Sequence, residues 1–122
     1  MTDFQQLAEA YVAVWNEYDP DARRARIVEV FTEDVRFVDP LAEVTGHDGV
    51  EAVVSAAQAQ FQGLPIRLSG LVDAHHDQAR FTWELGPADG EAVVVGFDVA
   101  VRAEDGRLSL VLGFLDRVPA AA

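Results

Sequence analysis

The chain has 122 residues, 50% of them hydrophobic and 25% charged, with no cysteine and a formal net charge of −12. That length suits one domain with a core of its own, and the missing cysteine excludes disulfides, thiol nucleophiles and cysteine-based zinc sites. An acidic surface repels phosphate backbones and anionic lipid, which disfavours binding to nucleic acid or a membrane surface. No stretch nears the ~20 apolar residues of a membrane span, and the N-terminus lacks the basic start and apolar run of a secretory signal, so the expected location is cytoplasmic. All nine basic residues are arginine, a bias that fits a GC-rich bacterial genome.

Thr2 and Gln5 fit a capping box, with Asp3 in the first turn of a helix. Phe4, Leu7, Tyr11, Val14, Trp15 and Tyr18 then recur at helical spacing as one apolar stripe. Asp19 and Pro20 open a second helix whose inward residues are Ile27, Val30 and Phe31. A short strand follows over about residues 35–39, in which Val35, Phe37 and Asp39 share a face and Pro40, lacking an N–H, ends the pairing. "GHDGVEAVVSAAQAQFQG" reads as a third helix presenting Val50, Val53, Val54, Ala57 and Phe61, and stopping at Gly63. From there the period falls to two. "IRLSGLVDA", "QARFTWELG", "EAVVVGFDVAVRA" and "RLSLVLGFLDRV" are four strands linked by "HHD", "PADG" and "EDG". The last two turns place Gly90 and Gly106 where a hairpin favours positive φ. The expected fold is α+β, three N-terminal helices packed on one face of a strongly curved antiparallel sheet. It forms a single domain over residues 1–118, with a frayed tail over 119–122.

Two acids stand on apolar faces of these strands. Asp39 either caps the backbone of its Asp-Pro turn or faces a pocket beside Phe37 and Val35. Asp98 lies in "AVVVGFDVAV", apolar on both sides, so it is protonated or paired, with Arg36, Arg67, Arg80 and Arg102 as candidate partners. Its neighbours Gly96 and Ala100 are small and leave room for a ligand, and Gly96 also fits a bulge. The opposite, valine-rich face calls for a cover, which predicts a homodimer through the open face of the sheet. Tyr11 faces inward, as a core tyrosine or as a donor to a ligand. His75, His76 and Asp77 share a turn without metal-ligand spacing, and His47, opening the third helix, is expected in solvent. No Gly-x-Ser-x-Gly, phosphate loop or dinucleotide fingerprint occurs, so neither metal nor cofactor is expected.

Helix, helix, short strand, helix and a four-stranded meander is the order of the NTF2-like superfamily. "AYVAVWNEYDPDA", "VFTEDVRFVDPLAEVTGHDGVEAVV" and "VGFDVAVRAEDGRLSLVLGF" resemble its SnoaL-like and ketosteroid-isomerase-like branch, over nearly the whole chain. The resemblance implies a cone-shaped α+β fold; it does not choose among the superfamily's several activities. In ketosteroid isomerases the general base is an aspartate in an Asp-Pro after the first strand, matching Asp39. The oxyanion-hole tyrosine of the first helix matches Tyr11, and a protonated aspartate in a later strand matches Asp98. By that likeness the chain is a small cofactor-independent isomerase holding an apolar ketone or enone in the cone. Asp39, Tyr11 and Asp98 are its catalytic residues, and Trp15, Phe37, Phe61, Trp83 and Phe114 line the substrate site. One feature departs from the pattern, since the isomerases support their tyrosine with others, one in the third helix, where "VVSAAQAQF" has none. The competing reading is a non-catalytic small-molecule-binding or dimerisation module in which both acids are structural.

Overall fold

Asp3, not Thr2, starts the first helix. In the computed structural model, which describes residues 3–119, the Asp3 carboxylate accepts the Gln6 amide at 2.8 Å and the Gln6 side chain returns a bond to the Asp3 amide. A charged carboxylate suits the positive end of a helix, while Gln5 points along the helix to Glu9; Thr2 lies outside the described residues, as do residues 120–122 of the expected tail. Helix α1 (Phe4–Asn16) buries Phe4, Leu7, Tyr11 and Val14. It stops before Tyr18, which is 48% exposed and leaves the stripe. Asn16 ends the helix by acting like one residue of a strand: its side chain both donates to and accepts from the Ile66 backbone, each at 2.8 Å.

Helix α2 (Pro20–Val30) has the expected Asp19 cap, and strand β1 (Phe31–Asp39) follows without a loop. The strand therefore begins four residues before Val35. Thr32, Glu33 and Asp34 hide that beginning, because a register shift between Phe31 and Arg36 breaks the alternation there. After the turn at Pro40 and Leu41 comes β2 (Ala42–Thr45), an edge strand the sequence reading did not contain. Helix α3 (Gly46–Gln60) and strands β3 (Ile66–His75), β4 (Gln78–Leu85), β5 (Val94–Arg102) and β6 (Leu108–Arg117) complete the chain. His47 is not free in solvent, since its Nε2 meets the Phe31 carbonyl at 2.9 Å. Of the expected turn glycines only Gly106 has positive φ; in the β3–β4 turn His76 takes that conformation, and the chain from β4 to β5 runs as a longer loop.

Three helices cover one face of a six-stranded sheet of order β2-β1-β6-β5-β4-β3. The sheet is open and mixed: β1 runs parallel to β6, and every other neighbour pair is antiparallel. Helix α1 packs on β3, while α3 packs on β1 and β2. The two helices thus cover opposite parts of the sheet, and a hollow remains between them. No helix among the described residues is long and apolar enough to cross a membrane.

Arg23 holds the helices to one another. It is 5% exposed, although α2 reads as a polar surface helix. Its guanidinium forks onto Glu51 of α3, donates to Gln58 Oε1 at 2.6 Å and reaches the Glu17 carbonyl. Gln58 in turn donates to the carbonyls of Trp15 and Glu17, which the end of α1 leaves unpaired. Replacing one partner strands the rest in a dry place. Arg23→Ala should therefore lower the unfolding free energy by about 3 kcal/mol in urea titration, and Arg23→Lys should restore less than half, because an ammonium cannot reproduce the planar fork.

Candidate active site

Alternation along β5 turns Val94, Gly96, Asp98 and Ala100 inward and leaves Val95, Phe97, Val99 and Val101 half-buried on the far face. Asp98 is thereby carried into the core at 3% exposure, directly under α1. There the Tyr11 hydroxyl, on a residue only 2% exposed, donates to Asp98 Oδ2 at 2.8 Å. The arginines considered as partners lie elsewhere. Arg36, Arg67 and Arg80 pair with Glu43, Glu84 and Asp73, and Arg102 stands near Asp77 and over the Phe4 ring.

Burial disfavours the charged form of each group. It pushes the Asp98 carboxyl up to about 6; hydrogen bonding from Tyr11 and the Trp83 indole pulls it back, and the charge of Asp39 adds to the rise. The Tyr11 phenol is driven well above its usual value by burial and then by the Asp98 charge, so it remains a donor throughout the physiological range.

Asp39 divides its two oxygens. Oδ1 accepts the amides of Leu41 and Ala42, both at 2.9 Å, and closes the turn into β2. Oδ2 meets no donor among the described residues, and the side chain lies in the wall of the hollow. Both readings of the residue therefore hold, one on each oxygen. Gly113 of β6 makes the approach of the two acids possible. A Cβ there would sit 2.8 Å from Asp98 Oδ1 and 3.2 Å from Asp39 Cβ. Gly96 serves Trp83 in the same way, since a Cβ on Gly96 would overlap the indole ring that lies across it. Two glycines on adjacent strands thus clear the floor on which the acids and the indole rest.

The hollow measures about 780 Å³. Tyr11, Trp15, Phe37 and Trp83 line it together with Asp39 and Asp98, and Phe61 stands in the wall that α3 supplies. Among the described residues, Tyr11, Asp39 and Asp98 are its only ionisable lining groups; the remaining surface is mainly apolar. Phe114 also belongs to the lining. It is 56% exposed and pairs with Phe97 of the far face. Arg102 pairs with Leu108 and Val101 with Leu110, so Ser109 is an extra residue that reverses the inside–outside parity of β6 as far as Leu115. Sequence reasoning overlooked Gly113 and the small residues Ala52 and Ala56, one turn apart on α3, which also line the hollow. A glycine inside a strand and alanines at helical spacing were the available signals.

A SnoaL-like domain matches residues 8–111, and the protein belongs to the SnoaL-like family. A protein from Agrobacterium tumefaciens str. C58, provisionally named an isomerase of that family, is 39% identical with a TM-score of 0.88 over 95% of this chain and 99% of its own. Two more distant structures share the fold. One is an NTF2-like protein of unknown function from Exiguobacterium sp. 255-15 (TM-score 0.72, 22% identity, 90% of this chain and 98% of that one). The other, from Jannaschia sp. CCS1, is provisionally named a SnoaL-like polyketide cyclase (TM-score 0.69, 19% identity, 92% and 86%). A stretch of 71 residues, 58% of this chain, is 34% identical to acetyl-coenzyme A carboxylase carboxyl transferase subunit beta of Bartonella quintana, and it spans 22% of that protein's length.

The raised Asp98 carboxyl sets a pH dependence of stability. Well below pH 3.8 the group is neutral whether the chain is folded or unfolded, and its burial carries no charge penalty. As pH rises, the unfolded chain loses this proton around 3.8 while the folded protein keeps it to about 6, so stability is lost across that window. The difference amounts to about 3 kcal/mol. Asp98→Asn keeps an acceptor for Tyr11 and does not titrate. Its stability relative to the parent should therefore rise by about that amount between pH 3.5 and 7.5 in denaturant titrations; a difference flat with pH would contradict the assigned burial.

Proposed function

We propose that the protein is an isomerase that moves a proton on an apolar ketone or enone held in the hollow, without a cofactor, in the cytoplasm of a bacterium. The observation that carries this reading is the buried Tyr11–Asp98 hydrogen bond, set with Asp39 in a cavity otherwise mainly apolar. Asp39 Oδ2 takes a proton α to the carbonyl, or γ in an enone, and the electron pair moves onto the carbonyl oxygen. Tyr11 turns its hydroxyl from Asp98 Oδ2 to this oxygen, and Asp98 in its protonated form gives a second hydrogen bond. Asp39 then returns the proton to a different carbon, which restores the carbonyl and leaves the double bond shifted. Donors fixed in advance where negative charge develops, away from water, supply most of the stabilisation in such a step. The provisional isomerase name of the Agrobacterium relative agrees with this reading.

The open face of the sheet fits a homodimer. Val95, Phe97, Val99 and Val101 of β5 adjoin Leu110 and Leu112 of β6 in a half-buried apolar row, and a second copy would cover it. Sedimentation should give twice the chain mass, and Phe97→Asp with Leu112→Asp should give a monomer.

The competing reading, a binding module without chemistry, draws support from Asp39 Oδ1, which is already engaged by two backbone amides. Catalysis separates the two. With a 3-keto-Δ5-steroid or a simpler β,γ-enone, formation of the conjugated product is followed by its ultraviolet absorbance. Asp39→Asn should lower turnover by at least about 10²-fold with the melting temperature near the parent's, and Tyr11→Phe, which also takes a hydrogen bond from Asp98, should lower turnover by a similar factor with a smaller loss of stability. Because Asp98 must carry its proton, kcat/KM should decline as pH rises through about 6. Asp98→Asn, whose amide N–H does not titrate, should flatten that limb. Binding without turnover in the parent protein would leave the module reading.

A further inference from the structure

The indole N–H of Trp15 is, among the described residues, the one buried side-chain polar atom that has no hydrogen-bond partner. An orphan donor of this kind is uncommon in a folded protein and calls for an explanation. Its position supplies one. Trp15 follows Tyr11 by one turn of α1, the two rings meet edge-on with centroids 6.2 Å apart, and both line the hollow. On its other side the Trp15 ring leans on Phe37, 5.8 Å away, so the indole is held between the tyrosine and the sheet. Phe31 and Phe81 pack edge-on against the Tyr11 ring and bring it no hydrogen bond. Burial, the Asp98 charge and the Asp39 charge all act to raise the pKa of the phenol.

We infer that Trp15 is the positioning residue for Tyr11, its indole N–H closing onto the tyrosine oxygen when the hydroxyl leaves Asp98 for the oxygen of a bound ligand. The inference rests on the function proposed above and adds the partner that the tyrosine otherwise lacks. In the resting protein the Tyr11 hydroxyl is aligned on Asp98 Oδ2, and the Trp15 ring lies edge-on beside it with its N–H unpartnered. Once the hydroxyl swings to a ligand oxygen that carries negative charge, the phenol oxygen gains electron density and becomes a better acceptor. The indole then acquires the bond it lacked. An interaction formed with the charged oxygen and absent at rest favours the reaction step over simple binding. Trp15 thus reaches the tyrosine from the same helix, one turn later.

The probe is 2-naphthol, whose ionised oxygen on an apolar ring system copies a dienolate. The chain has two tryptophans, so a ¹⁵N-labelled sample gives two indole signals, assigned with Trp83→Phe. In the parent protein, naphthol should move the Trp15 indole proton downfield, and in Tyr11→Phe, with naphthol still bound as judged by its fluorescence, that movement should vanish. Trp15→Phe, which keeps the ring packing, should lower kcat roughly tenfold with KM and melting temperature little changed. If naphthol binds and the indole signal stays where it was, the role of Trp15 is overturned while the proposed function stands. If naphthol does not bind at all, both fall. Because the signal is read in unaltered protein, the test survives a misfolded Trp15→Phe.

Discussion

A carboxyl group inside an apolar sheet has to be given company, and much of this molecule is arranged around that demand. Asp98 is carried inward by the simple alternation of β5, where nothing in its own strand can bond it. The Trp83 indole of β4 is one source of hydrogen bonding, and the Tyr11 phenol reaches Asp98 from α1, 87 residues earlier in the chain. The bond works only if α1 lies at a fixed height over the sheet. Asp3 fixes where the helix begins, Asn16 locks its last turn to the first residue of β3, and Arg23 with Gln58 gathers the carbonyls just beyond it. Helix caps and ion pairs far from the cavity therefore govern where one hydroxyl proton points.

Empty space at the site is made by subtraction. Gly113 and Gly96 remove side chains from the floor, and Ala52 and Ala56 thin the wall opposite. Each omission forfeits the hydrophobic contact that a larger residue would make. The aromatic residues recover part of that contact, since Tyr11 meets Trp15, Phe31 and Phe81 edge-on and Trp15 rests against Phe37.

Much of this was legible in the sequence because it is written locally. Helical stripes, the Asp19-Pro20 start and the change of period at Ile66 each lie within a dozen residues, and they gave the α+β architecture. Asp39, Tyr11 and Asp98 were legible as polar groups on apolar faces and by family likeness. Other features depend on partners that no local pattern names. Strand β2, four residues long, is too short to show a period. The burial of Arg23 depends on Glu51 and Gln58 of another helix. The parallel pairing of β1 with β6 joins segments more than seventy positions apart. The pairing of Phe114 with Phe97 was not legible because one bulged residue, Ser109, shifts the alternation after it, and a period of two cannot announce its own interruption.

The parallel seam between β1 and β6 also bears on the order of assembly. Asp39 stands at the end of β1 and Gly113 in β6, so the floor shared by the two acids comes into being only when the final strand slots between β1 and β5. A nascent chain still short of β6 carries every residue of the acid–phenol trio and yet has two unjoined half-sheets with bare edges. Closure across so long a stretch is slow relative to helix formation. Insertion of the last strand is thus the event that joins both halves of the sheet and, in the same motion, creates the chamber.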